Sequence, residues 1–234
     1  MLLDSGEEMA LGLEAQAEIA KTENFETGTA RAKRVERIGK RIAAVADRDD
    51  FTWEFYTVVK SELNAFCLPG GKIYFYTGML DFLGKDDALV AAVMGHEVAH
   101  AISRHGAERR SQNLLVAFGI AAAGTAAAVA TDDATAADSV GSAATILAQL
   151  GILLPFSRLH ESESDHIGTI LMAKAGYDPR KAITVWEKME KEQGGSSRLA
   201  GFFSTHPIHA DRIADLRKMM PEALEYYEKS SKQP

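Results

Sequence analysis

Two hydrophobic periods divide the chain. Over residues 6–22 and 28–46 apolar residues recur every three or four positions. In the second stretch Val35, Ile38, Ile42 and Val45 share one stripe, and Thr27 or Gly28 marks its start, so two packed amphipathic helices are expected. From 51 to 77 the texture changes to FTWEFYTVV, NAFCL and KIYFYTG, rich in aromatic and β-branched residues and broken by Pro69, Gly70 and Gly71. That pattern predicts three short strands, the last two a hairpin. Beyond Gly78 helical spacing returns almost to the end. Asp86 or Asp87 offers an N-cap before ALVAAVMGHEVAHAISRH, Gly176 closes a later helix, and Asp178-Pro179 opens the next. The expected fold is α+β and mainly helical, with a small three-stranded sheet packed on the helix that carries HEVAH.

Two Ala/Gly-rich runs, 114–130 and 143–156, flank the polar TDDATAADS. Neither reaches the roughly 20 strongly apolar residues that span a bilayer. Residues 114–156 therefore read as a helical insertion, either packed in the core or touching a membrane surface. GGSS at 194–197 opens a loop that ends at His206-Pro207, and 208–234 form a C-terminal helical segment. There is no internal repeat, and 1–234 read as one domain.

Composition narrows the function classes. A chain of 234 residues with 46% hydrophobic and 25% charged residues can bury one sizeable core. Its net charge of -7, with no dense Lys/Arg cluster, argues against a nucleic-acid partner. A single cysteine, Cys67, excludes an internal disulfide and any Cys-rich metal site, which leaves His and carboxylates as ligands. MLLDSGEEMALG has neither a basic nor a long apolar region, so no export signal is visible.

The chemistry lies in H-E-V-A-H. On a helix, residues four apart project about 40° from each other, so His96, Glu97 and His100 share a face. Two imidazoles can meet one zinc ion while a carboxylate stays within reach of its water. Val90, Val93, Met94, Val98 and Ile102 make the same helix apolar nearly all round. Three polar groups in a core helix need partners. His105 does not supply a third ligand: the H-E-x-x-H-x-x-G-x-x-H pattern needs Gly at 103 and His at 106, where this chain has Ser103 and Gly106. On a continued helix His105 would point away from His100. Glu161 is the better candidate, because Glu161, Asp165, Gly168 and Met172 form one stripe while Glu163 faces the other way. Asp165, one turn on, can accept the free N–H of a ligand histidine, and Gly168 lets the two helices lie close. Alone, such an acidic pair reads as a solvated face; a zinc site missing one ligand reverses that preference.

With these residues in place, the chain resembles the HtpX-like and CAAX-prenyl-protease superfamily of zinc endopeptidases, gluzincins whose third ligand is the Glu of an E-x-x-x-D motif. NAFCLPGGKIYFYTGML, HEVAHAISRH, ESESDHIG, AGYDP and STHPIHADRI match in order over about residues 60–217. The long transmembrane spans of the membrane-integral members are absent from this sequence, which points to the soluble or peripheral branch. The resemblance implies a zincin-like catalytic domain with one Zn2+ on His96, His100 and Glu161, and Glu97 as general base. It also implies a location in the bacterial cell envelope or periplasm. It brings His206 near the metal, as oxyanion donor, inhibitory ligand or mere loop end. Arg212 would pair with Asp165 or another active-site carboxylate, or form an ordinary surface ion pair. A polypeptide bound in extended form along Asn64, Ala65 and Phe66 is the expected substrate, unfolded or damaged protein the expected class. Two alternatives stay open: a zinc-bound chaperone-like module, and a membrane-associated assembly factor acting through 114–156.

Overall fold

The computed structural model describes residues 4–111, 155–193, 199–207 and 211–230. Helix α1 (Ser5–Thr22) starts at Asp4, whose carboxylate accepts the Glu7 N–H while the Glu7 carboxylate accepts the Asp4 N–H, a closed capping box. A two-residue strand, β1 (Phe25–Glu26), precedes α2 (Ala30–Ala43), which is capped by the Thr29 hydroxyl on the Ala32 N–H. The α2 stripe of Val35, Ile38 and Ile42 is fully buried, as its spacing predicts.

Strands β2 (Glu54–Val58), β3 (Ala65–Leu68) and β4 (Lys72–Tyr76) complete a sheet of order β1-β2-β4-β3. β3 and β4 form the expected antiparallel hairpin, with Ala65 opposite Phe75 and Leu68 opposite Lys72, and β2 runs parallel to β4. The connection places Gly70 and Gly71 at φ +83° and +88°, a region that side chains with a Cβ avoid. Among the described residues the sheet has four strands, one more than expected. β1 is too short to carry a period of its own, and pairing of Phe25 with Val58 and Glu26 with Thr57 is what makes it a strand. Ala65, Ile73 and Phe75 face the main core beside α2, whereas Val58, Leu68 and Tyr74 lie under Ala15 and Ile19 of α1.

Helix α3 (Thr77–Leu83) leads to α4 (Asp87–Ile102), started by the Asp86 carboxylate on the Ala88 N–H and buried without a break from Leu89 to Ala101. Against it pack α5 (Arg158–Lys174) and α6 (Arg180–Gln193); α7 (Ala200–Thr205) and α8 (Arg212–Ser230) follow. α4 and α5 cross at a pair of glycines. A Cβ on Gly95 would stand 2.5 Å from the Gly168 carbonyl oxygen, and one on Gly168 would stand 2.7 Å from the His96 nitrogen. Gly168→Ala must force the helices apart where the site begins. The expected result is a loss of about 1–3 kcal/mol in urea unfolding of the metal-free chain.

Of the 114–156 insertion, all but residues 155 and 156 lie outside the described residues, and so does the membrane contact expected of it. Among the described residues no helix is long and apolar enough to cross a membrane.

Candidate metal centre

Helix α4 carries His96, Glu97 and His100, α5 supplies Glu161 and Asp165, His206 follows α7, and Arg212 opens α8. His96, Glu97, His100, Glu161 and His206 are each no more than 5% exposed. Four of them converge. His96 Nε2 lies 3.0 Å from His100 Nε2 and 3.3 Å from His206 Nδ1. Glu161 Oε1 lies 3.3 Å from His100 Nε2 and 3.1 Å from His206 Nδ1, and its Oε2 is 3.6 Å from His96 Nε2.

These spacings suit a metal ion. Tetrahedral ligands at the roughly 2.0–2.1 Å of zinc–nitrogen and zinc–oxygen bonds stand about 3.3–3.4 Å from one another, close to the separations observed. The ring orientations point the same way. His96 turns Nδ1 toward Asp165 Oδ1 at 3.0 Å, somewhat out of line for an ideal hydrogen bond, and His100 turns Nδ1 toward His105 Nδ1 at 3.0 Å. With protons on those outer nitrogens, the two Nε2 lone pairs face each other, and only a proton or a cation between them relieves the repulsion.

The charges of the metal-free protein fit that reading. Burial opposes a charge on His96, but Asp165 and Glu161 outweigh it and push its pKa up to about 9. Burial dominates at His100 and holds it well below the ordinary histidine value. Glu161, despite its burial, is held well below the carboxylate range by His206, His100 and His96. Glu97 is raised by burial, and its Oε1 lies 3.6 Å from His206 Nε2.

Arg212 is a buried clamp rather than a surface ion pair. Its Nε and Nη2 donate to the two oxygens of Asp165 at 2.7 Å, and its Nη1 donates to Glu161 Oε2 at 2.5 Å. The guanidinium carbon sits 3.5 Å above the Trp186 ring. Trp186 gave no chemical signal in sequence, being a lone aromatic on an amphipathic helix. Phe156, stacked 3.9 Å from the His100 ring, and Phe202, stacked 4.5 Å from the His206 ring, were equally silent. The Phe156 N–H donates to the Thr205 carbonyl, which ties the approach to α5 to the His206 segment.

The expectation for His105 needs correction. α4 ends at Ile102, Arg104 takes φ +56°, and the chain turns back so that His105 meets His100 instead of pointing away. His105 still does not join the four converging donors. Of the three residues expected along the substrate, Asn64 precedes β3, Ala65 is fully buried, and the half-buried Phe66 stacks 4.8 Å from Tyr74. Among the described residues β3 is the outer strand of the sheet, and it packs against α4.

A model of peptidase family M48 matches residues 29–220. The mitochondrial metalloendopeptidase OMA1 of Schizosaccharomyces pombe is 38% identical over 81% of this chain and 53% of its own length. Its counterpart in Arabidopsis thaliana is 40% identical over 80% of this chain and 36% of its own. The β-barrel assembly-enhancing protease of Escherichia coli K12 is 27% identical over 78% of this chain and 37% of its own. The chain thus spans about half or less of the length of these relatives. The bacterial envelope or periplasmic location expected above is overturned, because the relatives at 32–40% identity carry mitochondrial names.

Proposed function

This chain belongs to peptidase family M48, and on that footing we propose that it is a zinc-dependent endopeptidase of protein quality control, cleaving unfolded or damaged polypeptides. One observation carries the reading: two helices bring His96, His100 and Glu161 to a common point with the buried carboxyl of Glu97 beside them. Zinc held by those three side chains would lower the pKa of a water molecule and polarise the scissile carbonyl. Glu97 is the general base, taking a proton from water and handing it to the leaving amine. Its burial favours the protonated form and so suits the second half of that exchange. Asp165 orients His96, and Arg212 holds both Asp165 and Glu161 in place.

His206 closes the site. Its Nδ1 occupies the fourth corner, where a water must stand during hydrolysis, so the arrangement described is a resting form from which His206 has to withdraw. The expected result of His206→Ala is a severalfold rise in casein cleavage with weaker zinc retention. A fall in cleavage with zinc retained would make His206 an oxyanion donor instead.

The substrate is taken in extended form as a strand added to β3, the outer strand among the described residues, at Asn64, Ala65 and Phe66, a mode that reads backbone and tolerates many sequences. One domain over 1–234 is supported by a core that runs from Val35 to Leu216. The names of the OMA1 relatives support a mitochondrial setting, and residues 114–156 are the segment proposed to touch a membrane. Four protein donors also suit a structural zinc site, which favours as second reading a binding module that never cleaves. Glu97→Gln separates the two.

A further inference from the structure

The centre treats its two α4 histidines differently. His96 Nδ1 faces a carboxylate directly, that of Asp165. His100 Nδ1 faces another imidazole, His105 Nδ1, at 3.0 Å. We infer that His105 is a positioning residue for His100: with its Nε2–H held by Glu163, it accepts the His100 Nδ1–H and so turns His100 Nε2 toward the metal. The inference rests on the metallopeptidase reading, since it takes His100 as a ligand.

Glu163 decides the direction of the chain of hydrogen bonds. Its Oε2 lies 3.3 Å from His105 Nε2, and a carboxylate at that distance requires the proton on that nitrogen. The lone pair of His105 is then on Nδ1. Two hydrogens can point at it, the Nδ1–H of His100 and the hydroxyl of Ser164 at 3.2 Å. The opposite tautomer would aim a lone pair of His105 at Glu163. It would also take the proton off His100 Nδ1 and put it on Nε2, the atom that must stay free for a metal. Neighbouring contacts hold the pieces. The Ser103 hydroxyl donates to the other oxygen of Glu163 at 3.3 Å, and His160 stacks on the His105 ring with 4.4 Å between centroids. Arg104, at φ +56°, is held by Glu8 at 2.6 Å and delivers His105 to its place. Glu163 and Asp165 leave α5 on different sides, yet each ends in a metal histidine, one through His105 and one directly.

The test is zinc affinity of the full chain, measured by competition with a chromophoric chelator in the absence of substrate. His105→Phe keeps a ring to stack on His160 but offers no acceptor, and the expected loss is roughly 10–100-fold. His105→Asn, whose Oδ1 can stand where Nδ1 stands, recovers most of that loss, which a space-filling role would not allow. Wild-type affinity in the Phe variant overturns the inference, and so does an equal loss in both variants. If the Phe variant fails to fold, as judged by circular dichroism, Glu163→Ala carries the test on a half-exposed side chain. Its expected loss is about 3–10-fold, and unchanged affinity overturns the inference. His96→Ala is the control. If it binds zinc as tightly as wild type, the metallopeptidase reading fails; if it loses zinc while the Phe variant does not, only the role of His105 fails.

Discussion

Glu97→Gln is expected to lower cleavage of an unfolded protein such as casein by about 10²–10⁴-fold, the range of a lost general acid–base group, while one zinc per chain stays bound. Glu97 is not among the four converging donors, and the amide fills the same space. Stability should follow a second logic. A carboxyl whose folded pKa is raised contributes stability below its unfolded value near 4.3 and loses it as pH rises through the folded value. Burial raises Glu97 in the metal-free chain, so at pH 7 the neutral amide should leave urea unfolding unchanged or more resistant. Activity lost together with zinc would instead make Glu97 part of the site's scaffold. Undiminished cleavage would remove it from the chemistry.

The second large effect belongs to the clamp that ties α8 to α5. Arg212→Ala leaves Asp165 and Glu161 as buried carboxylates without their cation, and breaking a buried pair in this way costs about 3–5 kcal/mol. Three hydrogen bonds to those carboxylates and the contact with Trp186 vanish together. The pH dependence has a definite sign. Asp165 is buried, yet Arg212 and His96 hold its pKa below the ordinary value. Its contribution is therefore present above the unfolded value near 3.9 and is lost as pH falls through the lowered folded value. In urea unfolding of the metal-free chain, the gap between wild type and Arg212→Ala should be full at pH 7 and shrink below about pH 4. A loss under about 1 kcal/mol at pH 7, as for an exposed pair, would contradict the clamp.

Local spacing carries the parts of the site that lie on one helix. Four-residue separation put His96 and His100 on one face, and the same arithmetic put Glu161 and Asp165 on another, and the two faces meet at the Gly95–Gly168 crossing. Helical arithmetic fails where a helix stops. Arg104 adopts a left-handed φ that a non-glycine residue seldom takes, and its distant partner Glu8 leaves no local mark. His105 was misplaced for that reason. The fourth corner is a tertiary fact as well, since nothing near His206 in sequence states how deeply the segment after α7 inserts. In the sheet, the β3–β4 hairpin was legible from its glycine turn, whereas β1 and the parallel pairing of β2 with β4 depend on partners remote in sequence.

Casein hydrolysis by the 234-residue chain, stripped of metal with a chelator and then reloaded with one equivalent of zinc, is the decisive measurement. Because His206 is proposed to close the site at rest, wild type and His206→Ala are assayed together. A zinc endopeptidase closed at rest by His206 requires no cleavage by either metal-free protein, cleavage on reloading, and a faster rate in the variant. Zinc bound at one per chain with no cleavage by either protein, or cleavage indifferent to the chelator, would contradict it.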